Sequence, residues 1–539
     1  SKIFDFKINT IHCILFYIWY KYLKMQRYKI LWVDDEIDLL KPYVLTLEEK
    51  NFQINTFNNP YSILEYIDEN NDFDLILLDE NMPGKSGLTL IKDIKDRKPF
   101  VPIIMITKNE EENIMNEAIG SMISDYLIKP LNPNQLLISI KKVLQNSELV
   151  SEKIKVDYLN FFNNLDNKIS NCKSHLDWIN LYKEFVFWEI NIEESSKNNF
   201  DEFLSSQKKE LNSKFSNFVI NNYEDWITGI ETSPIMSHNI LSKRVFKHLG
   251  SKPIFLIVVD NLRYDQWKII ESDISKIFNV KNDDPYLAIL PTTTEYSRNS
   301  LFSGLTPLEM SKKHPELWEN KSDGLNSKEF DFIDKNLERH SLNIKHSYNK
   351  IISHSDGNKL SKKKSDLLKY DLNSIVFNFI DMMSHSSSEN MLFKNLAYDE
   401  KSFRSFTSSW FKNSPLNELI TFLSEQDVKV FLTTDHGTVK VENPIKIKGN
   451  KETNTNLRFK VGKNINTDNK DLYIVENGEK IGLPQKNIFT KYLFSVENQY
   501  LLFPKDFNYY SKNFLNSFQH GGISLDEMII PFIELDPKI

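Results

Sequence analysis

Hydrophobic positions follow three successive rhythms along this chain. From Tyr28 to about residue 146, short β-rich runs alternate with helix-length segments: YKILWVDDE, FQINTFN, FDLILLDENMPG, VPIIMITKN and SDYLIKPLN. Five such units predict a doubly wound parallel sheet with its ligand site beyond the carboxyl ends of the strands. From about 147 to 245, segments such as VDYLNFFNNLDNKI, LDWINLYKEFVFWEI and FDEFLSSQKKELNSKFSNFVINNY repeat apolar residues at three- and four-residue intervals. That period predicts a small antiparallel helical bundle joining the first domain to the rest of the chain, its outer faces open to dimer contacts. Beyond 245, the runs PIFLIVVDN, SIVFNFIDMMSH and VKVFLTTDHG each end in a polar turn, the pattern of buried strands in a further α/β domain. The fold class is therefore α/β multidomain.

Those polar turns hold residues that bind metals. Asp260, Thr294, Asp381, His385, Asp435, His436 and His520 stand where one sheet could deliver them to a common edge. Grouped as Asp260, Thr294, Asp435, His436 and as Asp381, His385, His520, they form two sets of oxygen and imidazole ligands of the kind zinc accepts. Two ions ~3.5 to 4 Å apart clamp the attacking and leaving oxygens of a phosphoryl transfer. Three threonines, Thr292, Thr293 and Thr294, compete for the role of nucleophile.

In the first domain Asp34 and Asp35 end the first strand, Asp79 the third, Thr107 the fourth and Lys129 the fifth. Three packed carboxylates repel unless a cation intervenes, and hard Mg²⁺ suits them. Asp79 is then the expected phosphoryl acceptor, Lys129 a point charge for the phosphoryl oxygens and Thr107 the hydroxyl that moves toward them.

Composition narrows the field. With 539 residues, 40% of them hydrophobic, the chain can build two to four packed domains. A formal charge of -7 and a pI near 6.0 leave no global basic field to recruit DNA or an anionic membrane. Cys13 and Cys172 are too few for a disulfide framework or a thiolate metal site, which fits a reducing cytoplasm. CILFYIWY is too short to span a bilayer, which takes about 20 residues. We read Met25 as the native start and residues 1–24 as an upstream extension, the alternative being a short membrane-surface or docking helix. Lys440 to Lys463 carries seven Lys or Arg against two Glu, and within it Arg458 and Lys460 are candidates to border the pocket and attract a nucleotide backbone. SKKKSD at 361–366 reads as an exposed loop. His175, His238, His248, His314, His340, His346 and His354 have no partner motif and read as structural or surface residues. No repeat, Walker loop, zinc finger or helix-turn-helix signature occurs, so direct DNA binding is not expected.

Residues 25–146 resemble the CheY-like receiver domains of two-component systems. The resemblance implies Mg²⁺ ligation by Asp35, Asp79 and the backbone carbonyl of Asn81, with Asp34 acting through water. It makes Tyr126 the switch aromatic and Lys129-Pro130 a cis bond. Lys108 departs from the family's small residue after the threonine, so access of water or a partner to the phosphate is expected to differ. Residues 246–539 resemble the PglZ branch of the alkaline phosphatase superfamily, with LPTTTEYSRNSLFSGLTP as nucleophile loop, TTDHG as Asp-His turn and QHGGISLDEMIIP closing the site. Counting back from Gly304, that pattern selects Thr294 as nucleophile, with Thr293 the runner-up. No Cys-x-Pro-x-Arg context of a sulfatase is present.

Receiver, helical linker and PglZ domain in this order resemble the PorX-type response regulators. The resemblance implies a cytoplasmic regulator of type IX secretion and gliding, phosphorylated by a sensor histidine kinase and promoted to a homodimer. Its output would be a phosphodiesterase with two Zn²⁺ acting on nucleotides, and a sigma factor or secretion-motor protein would be a partner. The alternative is a phospho-dependent interaction protein whose metal domain is only a binding platform.

Overall fold

Strands β1 (Lys29–Val33), β2 (Gln53–Phe57), β3 (Leu75–Asp79), β4 (Ile103–Thr107) and β5 (Asp125–Ile128) pair in parallel in the order β2-β1-β3-β4-β5. Alternation sorts their side chains onto two faces. Ile30, Trp32, Leu75, Leu77, Ile104 and Ile106 fill one core, and Leu31, Val33, Ile76, Leu78, Ile103 and Met105 fill the other. Helices cover both faces, which is why LILLD and IIMIT are apolar at almost every position and buried throughout. Asn59 and Ser86 cap the helices Pro60–Glu69 and Gly87–Arg97 by accepting from backbone N–H groups of their first turns.

The computed structural model describes residues 28–50, 52–70, 73–98, 101–108, 123–195, 201–229, 232–318, 326–389, 399–449, 454–469 and 471–538. The expected extension over residues 1–24 and the Met25 start lie outside them. The chain forms two compact units, residues 1–157 and 158–539.

The second unit is built on β6 (Ile254–Val259), β7 (Phe278–Asp283), β8 (His346–Ile351), β9 (Leu372–Phe377), β10 (Lys429–Thr433) and β11 (Phe532–Pro537), in the order β7-β11-β10-β6-β9-β8. β10, β6, β9 and β8 run parallel, while at one edge β11 pairs antiparallel with both β10 and β7. The parallel strands end together, so the turns after β6, β9 and β10 meet at one edge of the sheet.

Helix α1 (Pro133–Asn163) starts in the first core with Leu136, Ile140 and Leu144 and ends in the second unit with Tyr158 and Phe161. Helices α2 (His175–Ser195) and α3 (Asp201–Thr228) pack Trp178 on Phe215 and Phe218, with ring centroids 5.5 and 5.9 Å apart. These helices of the predicted linker bundle also pack outside it. Tyr182 lies 6.0 Å from the ring of Tyr264, and Leu290 N donates to Tyr223 Oη at 2.7 Å, so both helices also bury residues against the sheet unit.

Residues 361–366 correct a second expectation. SKKKSD lies within the helix His354–Leu367, its lysines largely exposed on a surface turn that Ser353 caps by accepting from Asp356 N. The histidines without motifs join no acid or histidine cluster among the described residues. His346 stacks on Phe330, and His340 Nδ1 bonds to Asn336 O at 2.9 Å. Among the described residues no helix is long and apolar enough to cross a membrane.

Candidate functional site

Asp260 follows β6 directly, Asp381 lies in the first turn of the helix Phe379–Glu389 after β9, and Asp435 and His436 lie two and three residues past β10. His520 follows the short strand Phe518–Gln519. Side-chain ligand atoms of Asp260, Asp435 and His436 all lie within 4.8 Å of one another, as do those of Asp381, His436 and His520. His436 therefore joins both groups, where the sequence grouping gave it to one. His385 is placed on the same helix as Asp381, but its side chain lies outside the described residues.

Two hydrogen bonds fix the histidine tautomers. His436 Nδ1 is 3.1 Å from Gly437 O and His520 Nδ1 is 3.2 Å from Thr292 O. A carbonyl only accepts, so each Nδ1 carries a proton and each ring turns its Nε2 inward. Both Nε2 atoms face carboxylates: His436 Nε2 is 3.8 Å from both Asp260 Oδ1 and Asp435 Oδ2, and His520 Nε2 is 3.5 Å from Asp381 Oδ1. The two rings stack 4.2 Å apart. Among the described residues, buried Asp435 Oδ2 accepts no hydrogen bond. Carboxylate oxygens and imidazole nitrogens converge in a dry site, a donor set that fits a divalent cation able to satisfy them together.

The electrostatics agree. Burial, then the neighbouring Asp260, pushes the Asp381 carboxyl up to about 8, and the same two causes raise Asp435. Burial also disfavours charge on Asp260, but Arg298 and His436 outweigh it and hold that carboxyl below its ordinary range. Three residues of this cluster escaped the sequence reading. Arg298 Nη1 donates to Asp260 Oδ2 at 2.6 Å while its Nε is held by Glu329, and Asn378 Nδ2 donates to the same Asp260 oxygen at 2.8 Å. Asn261, in the left-handed region at φ 65°, reaches Asp381 Oδ1 at 3.3 Å.

Thr294 opens the wide helical turn Thr294–Arg298. Its Oγ1 lies 3.0 Å from His436 Nε2 and 3.4 Å from Asp260 Oδ1, so among the three threonines it is the one aimed into the cluster. Thr292 Oγ1 instead donates to Gly522 O at 2.9 Å, and the hydroxyl of Thr293 is buried without a hydrogen bond. The loop closes at Gly304, where φ is 63° and a Cβ would lie 2.7 Å from Asn336 Oδ1.

In the first unit Asp34, Asp35 and Asp79 gather at the strand ends. Lys129 Nζ bridges Asp34 Oδ2 at 2.8 Å and Asp79 Oδ1 at 2.7 Å, and the Lys129-Pro130 bond is cis. Burial raises the Asp79 carboxyl despite the hydrogen bond from Lys129. The Thr107 hydroxyl donates to Glu80, a buried acid the sequence reading passed over. Asn81 stands on the exposed loop after it, and Tyr126 is half-buried beside the core. Lys108 pairs with Glu36 at 3.2 Å, both exposed.

Arg458 and Lys460 correct the expectation of a basic pocket rim. Arg458 is 0% exposed, its Nη2 2.6 Å from Glu527 Oε2. Lys460 is 2% exposed, with Nζ donating to Asn454 O at 3.1 Å and lying over the Phe503 ring. Burial alone pushes that ammonium down to about 8. Both lie on or beside a strand, Phe459–Lys463, whose period turns them inward, so both are buried rather than set on an exposed rim.

Three family models match the chain: a response regulator receiver domain over residues 30–141, a PorX response regulator linker domain over 148–227, and a BREX system PglZ alkaline phosphatase-like domain over 240–535. The transcriptional regulatory protein ResD of Bacillus subtilis is 33% identical over 124 residues, which are 23% of this chain and 50% of that protein. The regulatory protein VanR of Enterococcus faecium is 36% identical over 119 residues, 22% of this chain and 50% of that protein. The chain thus spans about half the length of these curated relatives. Among solved structures, the chemotaxis protein CheY4 of Vibrio cholerae is 28% identical, covering 22% of this chain and 99% of that one at a TM-score of 0.21. The response regulator TrrA of Thermotoga maritima, solved with Mg(2+)-BeF, is 30% identical over 22% of this chain and 99% of that one, at a TM-score of 0.20.

Proposed function

The chain belongs to the PglZ alkaline phosphatase-like family, and we propose on that premise that it is a response regulator whose output unit is a zinc-dependent phosphodiesterase acting on nucleotides. A receiver, a PorX linker and a PglZ domain succeed one another along it. The observation that carries the reading is Thr294 Oγ1, 3.0 Å from the inward Nε2 of His436 at the edge where acids and imidazoles from separate strands converge. A platform for binding alone would not need a hydroxyl so aimed.

Asp260, Thr294, Asp435 and His436 would hold one zinc ion, and Asp381, His385 and His520 the other. Bound there, zinc would supply Lewis acidity and neutralise charge on a phosphoryl group. Thr294 is the nucleophile: its oxygen bonds to phosphorus as the bond from phosphorus to one alcohol oxygen breaks and that alcohol leaves with the proton given up by the threonine, and water then attacks the same phosphorus, breaking its bond to Thr294, returning a proton to the threonine oxygen and releasing the phosphate monoester. Asp260 and His436 orient that hydroxyl, Arg298 fixes Asp260, and Gly437 O and Thr292 O lock the imidazoles.

In the receiver, Asp79 takes a phosphoryl group from a sensor histidine kinase, with Asp34, Asp35, Asp79 and the Asn81 carbonyl holding Mg²⁺. Thr107 leaves Glu80 for the phosphoryl oxygens, and Lys129 pairs with them. On its resemblance to PorX-type regulators we assign the protein to cytoplasmic control of type IX secretion and gliding, as a phosphorylation-promoted dimer, with a sigma factor or secretion-motor protein as its partner. The test is elemental analysis with turnover of a chromogenic phosphodiester. Purified protein should carry about two zinc ions per chain, and His520→Ala should lose one and weaken the other. Full activity with no zinc in either protein would reject the assignment, and two zinc ions without turnover would favour the platform reading.

A further inference from the structure

Residues 520–528 form a strap that carries His520 and touches both the nucleophile loop and the turn that holds His436. Thr292 on the nucleophile loop accepts from Gly521 N at 3.0 Å, donates to Gly522 O at 2.9 Å, and offers its carbonyl to His520. Gly437, next to His436, donates its N–H to Glu527 O at 3.1 Å, and its carbonyl sets the His436 ring. The fit there leaves no space: a Cβ on Gly437 would lie 1.9 Å from Asp526 O. Glu527 in turn accepts from Gly522 N at 2.9 Å and from Arg458.

The far side of the strap is held by the linker helices. Tyr182 Oη donates to Asp526 Oδ1 at 2.7 Å, and Lys208 Nζ lies 3.0 Å from Asp526 Oδ2. Asn212 Oδ1 accepts from Leu525 N at 2.8 Å, and Ser216 Oγ donates to Ile523 O at 3.3 Å. Tyr182, Asn212, Ser216 and Asp526 are all buried. Hydrophobic docking would bury two helices without any of these bonds. Here one residue of α2 and three of α3 direct polar groups at one short segment, two of them at its backbone.

We propose that α2 and α3 are a positioning element of the metal cluster: Tyr182, Lys208, Asn212 and Ser216 hold the strap against the Asp435-His436 turn and so set the directions of His436 and His520. The linker is thereby part of the catalytic unit's wall, and a disturbance of these helices reaches the ligands through a short chain of hydrogen bonds.

Amide hydrogen exchange on the full-length, metal-free chain tests this directly. Tyr182→Phe keeps the ring and removes one bond, and Asn212→Ala removes the bond to the strap backbone. Each should speed exchange of peptides covering 434–438 and 520–528 about fivefold to tenfold. Phe161→Leu, which trims a ring packed on Trp188, serves as a control of matched melting temperature and should leave those peptides at the wild-type rate. Unchanged exchange there in both strap variants, or an equal rise in the control, overturns the proposal. A second arm rests on the zinc reading above: in a chelator competition Tyr182→Phe should weaken zinc binding about tenfold, and wild-type affinity in that variant would overturn the positioning of ligands. Wild-type protein that binds no zinc would reject the zinc reading alone, since the exchange arm still decides the role of the helices.

Discussion

At the residue scale the site turns on which atoms face inward. Thr294 Oγ1 meets Nε2 of His436 because Gly437 O holds the other ring nitrogen. Thr294→Val keeps volume and branching and removes only the hydroxyl, so diester turnover should fall by several orders of magnitude while folding and zinc content persist. A dead Thr293→Val variant beside an active Thr294→Val would move the nucleophile by one position. Lys460 gives a prediction of opposite sign. Its ammonium has no carboxylate partner among the described residues, and with its pKa near 8 it weakens the fold wherever it is charged. The penalty is complete below about pH 8 and fades as pH rises toward the unfolded value near 10.4. Lys460→Met should therefore stabilise the protein by roughly 1 to 3 kcal/mol at pH 7, the advantage shrinking between pH 8 and 10, with KM for a diester unchanged. A raised KM in thermal and kinetic assays would return Lys460 to the pocket. Asp260, Asp381 and Asp435 were legible because each ends an apolar run. Arg298 was not, since an arginine inside a helical turn looks like any surface cation until its partners Asp260 and Glu329 are placed.

Elements were legible by period and blind to partner. β6, β9 and β10 announced themselves as buried runs, and their common edge followed from parallel pairing. The aromatic stripes of α2 and α3 said that these faces are covered, but not that part of the cover is the strap 520–528, because a stripe carries no address. The lysines at 361–366 suggested a loop by charge alone, whereas the cap at Ser353 and the buried Leu360 and Leu367 make the segment helical. Arg458 sits in a basic run that sequence could only treat as a patch, and the single acid that buries it, Glu527, lies far along the chain. The turn between β10 and the strap is the element most sensitive to volume. Gly437→Ala inserts a methyl where Asp526 O already stands, so the turn or the strap must shift. We expect a loss of about 1 to 3 kcal/mol or more together with reduced zinc content, read by thermal melting and elemental analysis. Normal stability and full zinc in that variant would mean that the strap yields freely.

For the whole molecule, the question is whether charge added in one unit changes work done by the other. Lys129 is shared between Asp34 and Asp79, and Thr107 is engaged by Glu80, so the receiver cluster is balanced for the unphosphorylated state. A phosphoryl group on Asp79 adds roughly -1.5 to -2 charges and draws on both Lys129 and Thr107, which must leave their present partners. Beryllofluoride with Mg²⁺ imitates that group. It should move the protein from mostly monomer to dimer in light scattering, while Asp79→Ala stays unchanged because its acceptor carboxylate is gone. If the linker helices carry the change to the strap they hold, diester turnover should rise over the same range of mimic concentration, and Tyr182→Phe should dimerise normally yet gain less turnover. Dimerisation with flat turnover would confine the receiver to assembly. No change of mass on adding the mimic would leave Asp79 outside any switch, because a ligand that stabilises neither state over the other shifts no equilibrium however tightly it binds.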